Sequence, residues 1–206
     1  KTVKNVAFSG SPQENCLNKF DVENDIKSLG LNYKNMDKTK WNDFSNIDIL
    51  LAIRSFNDNQ FFNKPPSKLI NSWWANIPLI TSDDSAYRDI GAPGHNYLIA
   101  RSYDEMLTHI NKLAKDPGLY KQIVQNGADS RENYTREKIA STWIDLIENG
   151  IRIDFVKWQR KPRILHVEDF IVAKILHWFQ LKQLKLVKRY LSILNRIGFK
   201  SKGKYD

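Results

Sequence analysis

The chain has little cysteine: Cys16 is the only one in 206 residues. That excludes an intrachain disulfide and a zinc site built from several thiolates, and it fits a reducing, cytoplasmic setting. No apolar run approaches the roughly eighteen residues that a membrane-crossing helix needs. The opening KTVKNVAFSG lacks the apolar core of a secretion signal and begins without Met, which reads as a fragment or a processed product. Internal repeats and low-complexity stretches are also missing. What remains, 41% hydrophobic and 27% charged residues, is the composition of a soluble globular protein.

Acidic residues are scarce in one region only. Residues 1–150 hold 18 Lys/Arg and 19 Asp/Glu, whereas residues 151–206 hold 14 and 4. The net charge of +9 therefore belongs to a tail attached to a nearly neutral body. Such asymmetry points to an anionic partner for the tail alone.

Within the body, strand and helix signals alternate. Lys4–Phe8 reads as a strand ending at the turn cluster Ser9-Gly10-Ser11-Pro12. A helix over Lys19–Leu29 closes at Gly30, and Leu31–Met36 is a weak strand. Ile47–Ile53 is the strongest strand, apolar on both faces after Asp48, as a central parallel strand must be. Pro65-Pro66-Ser67 starts a helix to Asn76, with Ser67 as its cap. Strands follow at Pro78–Thr81 and Tyr97–Ala100. Ser102-Tyr103-Asp104-Glu105 is a capping box opening a helix that ends at Asp116-Pro117-Gly118. Helices over Leu119–Asn133 and Arg136–Glu148 precede a boundary at Asn149-Gly150. The implied fold class is α/β, a Rossmann-like, mostly parallel sheet with helices on both faces.

In such sheets ligands sit beyond the carboxyl ends of the strands. Three of those ends are polar: Ser9-Gly10-Ser11, Arg54-Ser55, and Thr81-Ser82-Asp83-Asp84-Ser85. Gly10 allows close backbone approach to a phosphate. Arg54, Lys64 and Lys68 supply positive charge for a diphosphate, and Asp89 supplies a carboxylate for a ribose diol. Solvated turns account equally for these residues taken singly. Ser9-Gly10-Ser11 has neither a Walker lysine nor a G-x-G-x-x-G pattern. His95 in GAPGHN is a candidate for the crevice, and His109 reads as a surface histidine. Of Trp73 and Trp74, one is expected in the core and the other under a loop. Asp83-Asp84 is assigned no ion, and no metal or cofactor is expected.

The stretch KPPSKLINSWWANIPLITSDDSAYRDIG resembles the donor-binding half of GT-B glycosyltransferases, whose pattern is K-P-x-x-K, then A-G-x-P-x-I, then a polar loop and an acidic residue. DEMLTHINKLAKDPGLYKQIVQNGADSRENYTREKIASTWIDLI is also similar to the end of that domain. The resemblance covers roughly residues 1–150, leaving 151–206 as a basic helical segment. It implies a nucleotide-diphosphate sugar as donor substrate, transferred to an unknown acceptor. It places Ser9, Gly10, Ser11, Arg54 and Lys68 near the diphosphate. It places Ser82, Ser85, Ala86 and Tyr87 in the loop under the donor, and Asp89 on the ribose. Three departures stand out: Asn76 where the family has Gly, Asp89 where it has Glu, and a first-strand loop with no evident Arg or Lys. The alternative is a non-catalytic nucleotide-sugar-binding or assembly module that keeps the fold. A third option is another phosphate-binding Rossmann-like protein. The family's acceptor surface belongs to an N-terminal domain. The resemblance starts at the first strand of the second domain, which implies either that the sequence omits the first or that the protein is naturally short.

Residues 164–197 are helical in pattern. Lys182, Lys185, Arg189 and Arg196 recur on one face, and Leu184, Val187, Leu191 and Leu194 on another. With Trp178 and Phe179 upstream, this suits a peripheral contact with an anionic membrane surface. Packing on the N-terminal domain or on a second copy is the other reading. Few aromatics lie among the basic residues, so nucleic acid is not expected.

Overall fold

A computed structural model of the protein describes residues 2–11, 16–57 and 61–196, the side chains of Lys38, Arg163 and 187–196 excepted. Five strands, β1 (Asn5–Phe8), β2 (Asn32–Asn35), β3 (Ile49–Ala52), β4 (Leu79–Thr81) and β5 (Leu98–Ile99), form one sheet in the order β2-β1-β3-β4-β5. Every pairing is parallel, with Val6 opposite Ile49, Leu50 opposite Leu79 and Ile80 opposite Leu98.

Alternation along the strands sorts side chains into two cores. Val6, Phe8, Ile49 and Leu51 face α1 (Val22–Ser28), α4 (Tyr103–Lys115) and α5 (Pro117–Arg131), meeting Ile26, Met106, Ile110 and Ile123. Ala7, Leu50, Ala52 and Leu79 face α2 (Ser67–Ala75) and α3 (Ser85–Ile90), meeting Leu69, Trp73 and Tyr87. Each face is covered, which is why Ile49–Ala52 tolerates no polar residue. Asp48, just before it, is buried but satisfied: its Oδ2 accepts from the Lys4 and Asn5 amides, each at 2.9 Å.

Local chemistry sets the element ends. The Ser102 hydroxyl accepts from the Glu105 amide at 3.1 Å, as the capping-box pattern requires. Asp116 ends α4 and caps α5, accepting from the Leu119 amide at 2.9 Å. Gly30 closes α1 at φ +77°, where a side chain would be strained. Asn76 ends α2 at φ +53°, so the Gly of the family pattern is replaced by the residue that best tolerates the left-handed region after glycine.

Several boundaries differ from the sequence reading; α5, expected from Leu119, already begins at Pro117. α1 begins at Val22 because a 3-10 turn, Cys16–Lys19, precedes it. Ser67 is the first residue of α2; Pro66 holds the cap position without a side-chain bond. Asn149-Gly150 does not break the chain. It lies in a π-helical stretch, Leu146–Ile151, that joins α6 (Arg136–Asp145) to α7 (Arg152–Gln159). The chain divides into two compact units, Lys1–Ala140 and Ser141–Asp206. The second contains α8 (Arg163–Arg196), a single helix of 34 residues. Among the described residues no helix is long and apolar enough to cross a membrane.

Candidate functional site

Strand order reverses between β1 and β3, since β2 lies on one side of β1 and β4 and β5 lie beyond β3. Chains leaving two such neighbouring strands diverge and open a crevice at their carboxyl ends. A cavity of about 470 Å³ occupies that position. Gly10 and Ser11 from the β1 end, Ile53 and Arg54 from the β3 end, and Phe61, Lys64, Pro65, Ser67 and Lys68 ahead of or within α2 line it. A larger cavity, about 570 Å³, lies at the opposite edge around Phe44, Asn71 and Trp74, and among the described residues no charged side chain lines it. The chemistry for an anion is therefore concentrated at the carboxyl edge.

Of the three cations that line it, Lys68 and Arg54 are held differently. Lys68 Nζ donates to the Ser9 carbonyl, bridging α2 to the end of β1. Burial pushes the Lys68 ammonium down to about 8, with Arg54 and Lys64 adding repulsion and Asp84 opposing. An ammonium desolvated in this way gains from an incoming anion. Arg54 pairs through Nη1 with Asp84 Oδ2, and the Asp84 side chain is fully buried. Burial raises the Asp84 carboxyl above its ordinary range, against the lowering by Ser82 and Arg54. The Arg54 guanidinium also lies 5.4 Å from the Tyr87 ring centroid and 5.7 Å from that of Phe61.

The polar run after β4 is largely turned inward. Thr81 Oγ1 donates to the Ala52 carbonyl at 3.1 Å. Ser82 Oγ accepts from the Arg54 amide at 3.1 Å and donates to Asp84 Oδ1 at 2.8 Å. Asp83 pairs with Arg88, whose Nη2 donates to Oδ2 at 2.5 Å, and that contact lowers the Asp83 carboxyl. These residues stitch the end of β4 to the end of β3 and fix where the Arg54 backbone leaves the sheet.

Of the residues singled out in the sequence, Gly10, Ser11, Arg54, Lys64 and Lys68 line the one cavity, and Ser9 joins it through its carbonyl. Ser82 is buried with its hydroxyl engaged, and Tyr87 is buried in the α3 core. Ser85 and Ala86 are half-buried in the first turn of α3. Asp89 is exposed on α3 and is not among the cavity's lining residues. His95 lies before β5, its carbonyl accepting from Asn126 Nδ2 at 2.8 Å, away from that edge. His109 is half-buried rather than a surface histidine, its Nε2 donating to the Ile99 carbonyl at 3.0 Å. Trp73 is in the core and Trp74 is exposed beneath the Arg131 guanidinium, 5.1 Å from its ring.

Two participants escaped the sequence reading. Asp84 reads in the sequence as part of the polar end of β4 and of a pair assigned no ion, although a second acid placed beside α3 is also the natural partner of a nearby arginine. Phe61 gave no signal beyond an aromatic in a polar loop; it adopts φ +48° and floors the Arg54 side. Among the described residues no group of three or more His, Cys, Asp or Glu is gathered for a metal ion.

No protein-family model and no curated protein sequence matches the chain. Solved structures do. TarM superposes at TM-score 0.50 and 14% identity, over 72% of this chain and 36% of TarM. The pneumococcal O-GlcNAc transferase GtfA, in complex with UDP and GlcNAc, gives 0.49 and 14%, over 72% and 36%. HepE of Anabaena, in complex with UDP-glucose, gives 0.48 and 12%, over 70% and 49%. The chain thus spans 36–49% of the length of these three structures. They are GT-B glycosyltransferases, matched over the C-terminal-like part of their chains. At 14% identity the match to TarM is one of fold. The protein carries the Rossmann-like fold of the C-terminal part of GT-B glycosyltransferases.

Proposed function

We propose that the cavity between the β1 and β3 ends binds the diphosphate of a nucleotide-activated sugar, and that the protein is the donor-binding part of a glycosyltransferase. The observation that carries this reading is the convergence of Arg54 and Lys68 with Gly10 and Ser11 on one cavity at the switch point of the sheet. Gly10 bears on access. A Cβ there would lie 2.6 Å from Phe8 Cε1, so the loop keeps its close approach only without a side chain.

The chemistry is displacement at the anomeric carbon. The bond from that carbon to the diphosphate oxygen breaks as a bond to an acceptor oxygen forms, and the acceptor's proton passes to a base. Charge builds on the departing diphosphate, and fixed cations stabilise it where water is excluded. Lys68 and Arg54 take that role, and no metal is invoked. Acceptor and base are expected from a surface outside the cavity, since transfer needs the acceptor held in line.

Calorimetric titration with UDP, GDP and ADP tests the reading. One of the three is expected to bind, and Lys68→Ala to weaken it about tenfold or more, the scale of a hydrogen bond to a charged group. Silence with all three, or binding indifferent to Lys68, rejects it. A second reading, donor binding without transfer, is favoured by Arg54 being already paired with Asp84. Turnover of the bound nucleotide sugar distinguishes the two.

A further inference from the structure

We propose that α8 docks along an anionic lipid surface, with Trp178 and Phe179 in the interface and Lys182 and Lys185 on the lipid headgroups. The second compact unit exposes large apolar side chains along its helices. In α8 Phe170 is 60% exposed, Trp178 50%, Phe179 54% and Leu184 56%. Uncovered apolar surface on this scale calls for an occupant, and charge selects which. From Phe170 to Tyr205 the sequence has nine Lys/Arg and no Asp or Glu. A second copy offers no complement: residues 1–150 carry 18 Lys/Arg against 19 Asp/Glu, and the tails of two copies repel each other. Nucleic acid would answer the charge and leave the aliphatic surface wet. An anionic bilayer surface answers both at once.

Two details fit that occupant. Lys182 Nζ lies 3.9 Å from the Trp178 ring centroid, so ammonium and indole sit at one level of the helix. Interfacial anchors pair an amphipathic ring with a cation in this manner. α8 has 34 residues, about 51 Å at 1.5 Å each. No described helix is apolar enough to cross a bilayer, so α8 lies along the surface rather than through it. Arg189 and Arg196 belong to the same helix, with side chains outside the described ones.

The test is flotation of the full chain with vesicles of phosphatidylcholine alone and with about one third phosphatidylglycerol. Binding to the anionic vesicles is expected to be at least about tenfold tighter and to fade in about 0.5 M salt. The Lys182→Glu, Lys185→Glu pair is expected to lose that preference, and the Trp178→Ala, Phe179→Ala pair to weaken binding about tenfold. Circular dichroism and the unfolding midpoint of each variant confirm that it folds. Absence of binding, or equal binding to both vesicles, overturns the proposal. So does light scattering that shows a dimer broken by the same substitutions while vesicle binding persists.

Discussion

Two tryptophans in different parts of the chain have opposite surroundings. Trp73 on α2 is 2% exposed, donates its Nε1–H to the Asn96 carbonyl at 3.1 Å and sits against Tyr134. Trp178 on α8 is half exposed and has a lysine above it. The sheet unit, Lys1–Ala140, buries its apolar residues on two faces. The helical unit, Ser141–Asp206, presents them. The difference separates residues that make the fold from residues available for contact.

Truncating each tryptophan sharpens that contrast most. Trp73→Ala removes a buried indole, leaves the Asn96 carbonyl unpaired and opens a void beside Gly127, whose position would place a Cβ 2.5 Å from Trp73 Cδ1. A loss of about 3–5 kcal/mol in denaturant unfolding is expected. Trp178→Ala is expected to change stability by about 0.5 kcal/mol or less. Equal losses for the two would break the comparison, because they would mean that the helical unit has a packed core of its own.

How much of this was legible in the sequence varies with the range of the interactions. Ile49–Ala52, the capped start of α4 and the left-handed end of α1 follow from runs and caps within a few residues, and they were readable. The crevice was readable in outline, because parallel strands must bring Gly10 and Arg54 to one edge. The Arg54–Asp84 pair was not: it joins residues 30 apart through side-chain geometry that no spacing encodes. Ser82 misled for the same reason, since a hydroxyl after a strand looks available until the neighbouring strand's amide is known to donate to it. Asn149-Gly150 looked like a break because each residue disfavours helix, Gly by about 1 kcal/mol. The π-helical stretch absorbs them instead.

Within the sheet unit, Lys68 is half-buried and titratable, and pH probes it. Its folded-state value near 8 lies below its ordinary 10.5, so the folded chain gives up this proton first. Stability therefore rises with pH between about 8 and 10.5, where the unfolded chain still holds the proton. Binding of a diphosphate runs the other way. Affinity is expected to fall as pH rises through about 8, roughly tenfold by the time the ammonium is neutral. Lys68→Arg, charged throughout, is expected to flatten the profile. A wild-type profile flat from pH 7 to 9 would remove Lys68 from the anion's contacts.

The smallest expected effect lies at Asp89, where the body resembles the tail: an exposed side chain outside the cavity lining. Asp89→Ala is expected to leave stability unchanged within about 0.5 kcal/mol. If Asp89 holds a ribose, the variant binds UDP, GDP or ADP about fivefold more weakly, the scale of one net hydrogen bond. Inorganic pyrophosphate, which has no ribose, is then bound as before. That selectivity is the informative outcome. A carboxylate acting only as a repulsive charge near the phosphates would, on removal, tighten both ligands together. One too far away to matter would change neither. Only contact with the sugar hydroxyls of the nucleoside separates the two ligands, and it does so without any help from the fold's stability.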